Sequence, residues 1–141
     1  MMNRKEIIAE LFINILADAY FVDFENIAAT ELQIEAPLCS QMIVTLPYMG
    51  SFVSIFPLKI AEEMTMNVMD IKSPEVVLDT INEWQNVFVG KVLERFYPNT
   101  LFELDLPKIV PLESINPSDF FIQAFESVDG QKSYILHKIK D

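Results

Sequence analysis

Ser73-Pro74-Glu75 opens a stretch in which no helix-stopping signal occurs until Tyr97-Pro98-Asn99. Ser73 suits the N-cap, where a hydroxyl accepts from a free backbone N–H. Pro74 suits the first helical position, and Glu75 complements the positive end of the helix dipole. The spacing predicts one long helix, the longest in the chain, against which the rest must pack. At about 100° per residue, Val77, Ile81, Trp84, Phe88, Val92 and Phe96 gather on one broad side, which should be buried. Asp79, Glu83, Asn86 and Gly90 gather within about 60° of one another on the opposite side. A carboxylate and a carboxamide thus stand together, facing away from the core. One turn beyond Asn86 the helix surface is bare, because Gly90 has no side chain.

The flanking sequence supplies partners for such a helix. Residues 5–21 read as an amphipathic helix, with Ile8, Leu11, Ile15 and Ala19 as its stripe and Ile7, Phe12 and Leu16 widening it. Residues 30–36 alternate, with Leu32, Ile34 and Ala36 on one side, and read as a strand. Residues 41–46 and 51–56 are rich in β-formers and read as a hairpin turning at Pro47-Tyr48-Met49-Gly50. Leu58–Val68 returns to helical spacing through Leu58, Ala61, Met64 and Val68. Strands are expected again at 101–106, 119–127 and 132–139, the last two joined at Asp129-Gly130. The order is α-β-β-β-α-α-β-β-β. It predicts a single α/β (α+β) domain over residues 1–141, an antiparallel-rich sheet with two long helices packed on it.

Composition narrows the function. The net charge is −11, so the chain lacks the basic footprint that nucleic acid or an anionic membrane surface would require. The same acidity would also serve solubility alone. Arg4 and Lys5 precede an apolar stretch, but Glu6, Glu10 and Asp18 interrupt it, and no apolar run is long enough to span a bilayer. Three glycines leave no Gly-rich phosphate cradle. One cysteine, Cys39, and one histidine, His137, make a zinc site or a Cys–His nucleophile a poor reading. Cys39 reads as a buried structural thiol and His137 as a packing or surface residue. A reducing, cytoplasmic location fits.

Glu83 and Asn86, three apart on an exposed helix, are also what an ordinary solvated face looks like. Gly90 is more telling. Glycine inside a helix costs about 1 kcal/mol relative to alanine. Either something outside approaches the helix closely there, or the glycine permits tight internal packing or is simply tolerated.

The segment Asp79-Thr-Ile-Asn-Glu83-Trp-Gln-Asn86-Val-Phe-Val-Gly90 resembles the signature helix of the CheX/CheC chemotaxis phosphatases. That signature has an acidic or hydroxyl residue, then Glu, Asn and Gly at these spacings, and a proline further on. Pro107 in Leu104-Asp-Leu-Pro107-Lys-Ile-Val110 is similar to that proline. Gly50-Ser-Phe-Val-Ser-Ile-Phe56 is similar to the family's glycine-led strand, which continues into a helix around Leu58 and Ala61. Two loops depart from the pattern. Pro111 stands where the family has glycine, and Leu46-Pro47 replaces the first of two hairpin glycines.

The resemblance implies a CheC-like fold with one CheX-like site, since no second predicted helix carries a Glu–Asn pair at this spacing. It implies hydrolysis of the aspartyl phosphate of a CheY-like response regulator. In that chemistry Asn86 orients the attacking water, Glu83 binds the regulator's lysine, and Asp79 and Gly90 belong to the partner-binding rim. No cofactor of the chain's own is implied; Mg2+ is expected on the regulator. A homodimer is implied as well. Two other readings share the fold: a regulator-binding adaptor without turnover, and a structural relative of the flagellar switch.

Overall fold

The computed structural model describes residues 2–29, 31–71 and 73–141. Three helices, α1 (Arg4–Tyr20), α2 (Leu58–Met69) and α3 (Pro74–Phe96), accompany seven strands. These are β1 (Phe24–Ile27), β2 (Pro37–Leu46), β3 (Gly50–Pro57), β4 (Glu103–Leu104), β5 (Lys108–Val110), β6 (Phe121–Ser127) and β7 (Lys132–Ile139). All pairings are antiparallel and the sheet runs β1-β6-β7-β3-β2-β4, with β5 also on β2. The expected strand at 101–106 shrinks to β4 on the edge of β2, and β5, which the sequence did not predict, pairs on the same edge. The 46–51 turn and the Asp129-Gly130 turn both make hairpins, and Gly130 takes the positive φ of 80° that its turn demands. At Gly50 a Cβ would fall 2.6 Å from the carbonyl oxygen of Lys138, so only glycine lets β3 lie this close to β7.

Each strand serves two cores by alternation. Phe52, Phe56, Met42, Val44, Phe125 and Ile135 point at the helices. Val53, Ile55, Cys39, Ala124, Tyr134 and Leu136 point the other way, where the segments around Leu32–Ile34 and Leu112–Phe120, with two short 3-10 turns and no α-helix, cover them. Phe12 of α1 centres the helix side. It stacks on Phe125 at 3.9 Å and meets Phe24 and Trp84 edge-on at 5.3 and 5.6 Å. The buried stripe of α1 is Ile8, Phe12, Leu16 and Tyr20. Leu11 and Ile15 are half-buried and Ala19 is exposed, so the stripe is rotated from the expected one. In α2 likewise Ile60, Ala61, Met64 and Thr65 are buried, while Leu58 and Val68 are exposed.

The strand expected at 30–36 does not form; Thr30 lies outside the described residues, and 31–36 is irregular. The alternation was real, because Leu32 and Ile34 do pack on the second core. The backbone finds a side chain rather than a strand. The Tyr134 hydroxyl accepts from the Gln33 N–H at 3.3 Å and reaches the Glu31 carbonyl at 3.5 Å. Ala36, at φ 45°, then turns the chain into β2. The strand preceding the hairpin is instead β1, four residues long, paired with β6.

Candidate functional site

The long helix starts where the sequence placed it. Ser73 Oγ accepts from the Val76 N–H at 3.3 Å, and Pro74 occupies the first turn. α3 packs against both α1 and α2 and on the face of β2. It runs antiparallel to α1: Arg95 pairs with Glu10 at 3.4 Å near one end, and Tyr20 lies within electrostatic reach of Glu83 towards the other. Val77, Ile81, Trp84, Phe88, Val89, Val92 and Leu93 are all buried.

Two polar residues of α3 hydrogen-bond to the sheet. Gln85 is fully buried. It accepts from Ser54 Oγ and donates to the carbonyls of Ser40 and Phe52, both at 3.0 Å. Asn82 accepts from Ser40 Oγ at 2.8 Å. With those side chains held by the sheet, Asp79, Glu83 and Asn86 project into solvent. Among the described residues none hydrogen-bonds or ion-pairs with them. Gly90 is half-buried, and a Cβ there would meet nothing within 4 Å, so the alternative of tight internal packing is excluded. Val87 adds an exposed apolar side chain next to Asn86. The four expected residues therefore share one open face: two acids, an amide and bare backbone, flanked by Val87. Such a face can reach into a cavity on another molecule. It offers hydrogen-bonding groups without an enclosed pocket of its own.

Neither a family profile nor a curated protein matches this chain by sequence. Solved structures do match in shape. CheX in the CheX–CheY–BeF3–Mg2+ complex from Borrelia burgdorferi superposes with a TM-score of 0.77 at 13% identity, covering 100% of both chains. A CheC-like superfamily protein from Shewanella gives 0.72 at 15% identity, over 97% of this chain and 99% of that one. The fold is that of the CheX and CheC-like chemotaxis proteins. FliY from Thermotoga maritima also matches, at a TM-score of 0.58 and 15% identity, over 95% of this chain and 88% of that one.

Within this CheX-like fold, Pro107 sits between β4 and β5, and β5 pairs with β2 at Cys39–Gln41, beside the Ser40 that holds Asn82. The proline segment thus borders α3 on the sheet edge. The two departures lie in connections: Leu46–Pro47 is a cis peptide in the β2–β3 turn, and Pro111 precedes the short 3-10 turn Leu112–Ser114.

Tyr20 and Gln85 are the site neighbours the sequence did not reveal. Burial, with the charge of Glu83 adding, pushes the Tyr20 phenol up to about 12. The recurrence Ile8, Phe12, Leu16, Tyr20 at every fourth residue was the available signal for Tyr20. Gln85 had none, because its partners come from distant strands.

The remaining candidates lie elsewhere. Cys39 is buried, and burial together with Glu113 pushes its thiol up to about 11. His137 is buried on β7, where its Nε2 meets Gln123 Oε1 at 3.1 Å. Gln123 donates its amide to the Lys5 carbonyl, which turns its oxygen to the ring and makes Nε2 the protonated nitrogen. A cleft of about 320 Å³ between Arg4, Lys5, Phe96, Phe121, His137 and Ile139 lies at the far end of α3 from Glu83. No helix among the described residues is long and apolar enough to cross a membrane.

Proposed function

We propose that this chain is a phosphatase for the aspartyl phosphate of a CheY-like receiver domain, with Asn86 and Glu83 as its reacting face. The observation that carries the reading is the exposure of both side chains together on α3, with open space at Gly90. The CheX–CheY complex of the same fold supports a receiver as partner.

An aspartyl phosphate is an acyl phosphate. Water attacks phosphorus in line, the P–O bond to the carboxylate breaks, and orthophosphate and free aspartate result. The water's proton passes to a phosphoryl oxygen or to solvent. The transition state is loose, so catalysis consists of placing water and balancing charge on the phosphoryl oxygens. On this reading the receiver brings Mg2+ and a lysine. Asn86 brings a neutral amide that accepts from and donates to water without repelling the phosphoryl group. Glu83 forms a charge-assisted pair with the receiver's lysine. Asp79, one turn earlier, extends the polar rim, and Gly90 lets the receiver's loops approach. The chain acts without a cofactor of its own, in the cytoplasm where its partner resides, and as a homodimer.

The deciding experiment follows phosphate release from a phosphorylated receiver in Mg2+. Wild-type protein should accelerate it and Asn86→Ala should not. Equal rates with and without the protein, while it still binds the receiver, would replace the phosphatase reading with the adaptor reading. Failure to bind a receiver at all would leave the third reading, a structural relative of the flagellar switch.

A further inference from the structure

The notch that seats Gln85 is made by two serines. Ser40 and Ser54 lie directly opposite one another in the β2–β3 register, and both are fully buried towards α3. Their small side chains leave room for a long one from the helix. Gln85 fills that room and uses both ends of its amide, accepting from the Ser54 hydroxyl and donating to two strand carbonyls. Asn82, one turn earlier, takes the Ser40 hydroxyl. Burial alone does not call for this arrangement, since seven of the nine buried side chains on α3 are apolar.

Apolar contact is non-directional and tolerates a small roll or slide of a helix. Hydrogen bonds to fixed strand atoms do not. The order along α3 then becomes informative. Asn82 is an anchor and Glu83 follows it; Gln85 is an anchor and Asn86 follows it. Each outward group is attached to the backbone one residue after a tether to the sheet.

We infer that Gln85 and Asn82 are positioning residues that fix the rotational phase of α3, so that Asn86 meets the receiver's phosphoryl group and Glu83 meets its lysine in one orientation. This rests on the phosphatase reading. Positional catalysis is sensitive to such a device, because a misplacement of about 1 Å can cost about a hundredfold in rate.

Gln85→Met keeps length and volume and removes every tether made by the amide. Phosphate release from the phosphorylated receiver should show kcat reduced at least about tenfold with KM within about twofold. A purely structural role would instead lower the melting temperature and the folded fraction while each folded molecule kept its kcat. A second readout needs no activity. A spin label on Asn86→Cys, with buried Cys39 left unlabelled, should give one ordered spectrum beside Gln85 and a more mobile one beside Gln85→Met. Ser40→Ala tests the other tether. It removes the hydroxyl that holds Asn82 but leaves the carbonyl for Gln85, and should lower kcat by about threefold. That variant decides the matter if Gln85→Met does not fold. An unchanged kcat in a cooperatively folded variant, or an unchanged label spectrum, overturns the inference. A wild-type protein without phosphatase activity overturns the functional reading instead, and the label spectrum then judges the anchoring by itself.

Discussion

Gln85 and Asn86 are consecutive in the chain and have opposite surroundings: the first is sealed against β2 and β3 by three hydrogen bonds, and the second stands in solvent without a partner among the described residues. One helical step of about 100° separates them. The buried amide is stabilised by the fold, since leaving such a group unpaired would cost about 1–3 kcal/mol. The exposed amide contributes little to the monomer. A carboxamide with no structural task, next to one with a heavy task, is available for a partner.

Asn86→Ala should therefore leave the melting temperature within about 1 °C of wild type, because surface substitutions away from special features change stability little. In the phosphatase reaction it should lower kcat by about a hundredfold, the usual scale for losing one preorganised polar group, with receiver affinity changed by less than about threefold. Asn86→Asp keeps the size and adds a negative charge facing the phosphoryl oxygens. It should be at least as poor. Stopped-flow phosphate release with and without saturating receiver separates the two parameters.

Glu83 predicts the reverse split. If it pairs with a lysine of the receiver, Glu83→Gln removes charge and keeps shape, and a hydrogen bond to a charged group is worth about 1.5–3 kcal/mol. The dissociation constant for a beryllofluoride-loaded receiver should rise about tenfold or more, and the difference should shrink in high salt. Titration calorimetry at two ionic strengths checks both. An affinity unchanged by Glu83→Gln rules out the lysine pair.

How much of this was legible depends on the range of the interactions. The start of α3 was readable because Ser73, Pro74 and Glu75 act within one turn. Its outward face was readable because apolar and polar residues separate at a fixed angle. Strand β1 was not, since Phe24–Ile27 is too short to show a period. The segment at 31–36 has the alternation of a strand, yet its backbone is met by the hydroxyl of Tyr134, about a hundred residues away, which no local pattern encodes. Gln85 is the same kind of case. A glutamine at a core position contradicts hydropathy until the register places Ser40 opposite Ser54 beneath it.

His137 makes stability depend on pH. Burial, with the positive charges of Lys5 and Arg4 adding, lowers it to about 4, from an ordinary 6.5 in the unfolded chain. Between those values the unfolded state binds a proton that the native state refuses. Its contribution is complete above pH 6.5 and is lost as pH falls towards 4. From pH 7 to pH 5 the unfolding free energy should drop by about 2 kcal/mol on this account. Urea titrations at the two pH values measure the drop. His137→Gln, which can still hydrogen-bond Gln123, should remove most of it; an equal drop in that variant would place the titrating group elsewhere.

Gly90 separates the needs of the fold from the needs of a partner. Beyond its own neighbours and the backbone of its own helical turns, nothing among the described residues lies within 4 Å of where a Cβ would stand, so alanine fits there as in any open helix face. Alanine is also the better helix former by about 1 kcal/mol. Gly90→Ala should therefore raise the melting temperature by roughly 3 °C. A residue that weakens its own helix and fills no internal gap is either merely tolerated or used in contact with something outside, and the two part on binding. If a receiver loop passes over this spot, the added methyl should push it back and raise the dissociation constant about tenfold, while Asn86 and Glu83 remain intact. The combination of a more stable protein and a weaker complex is the expected signature. A stabilised Gly90→Ala protein that binds the receiver as tightly as wild type would show that the partner does not cross α3 at this turn.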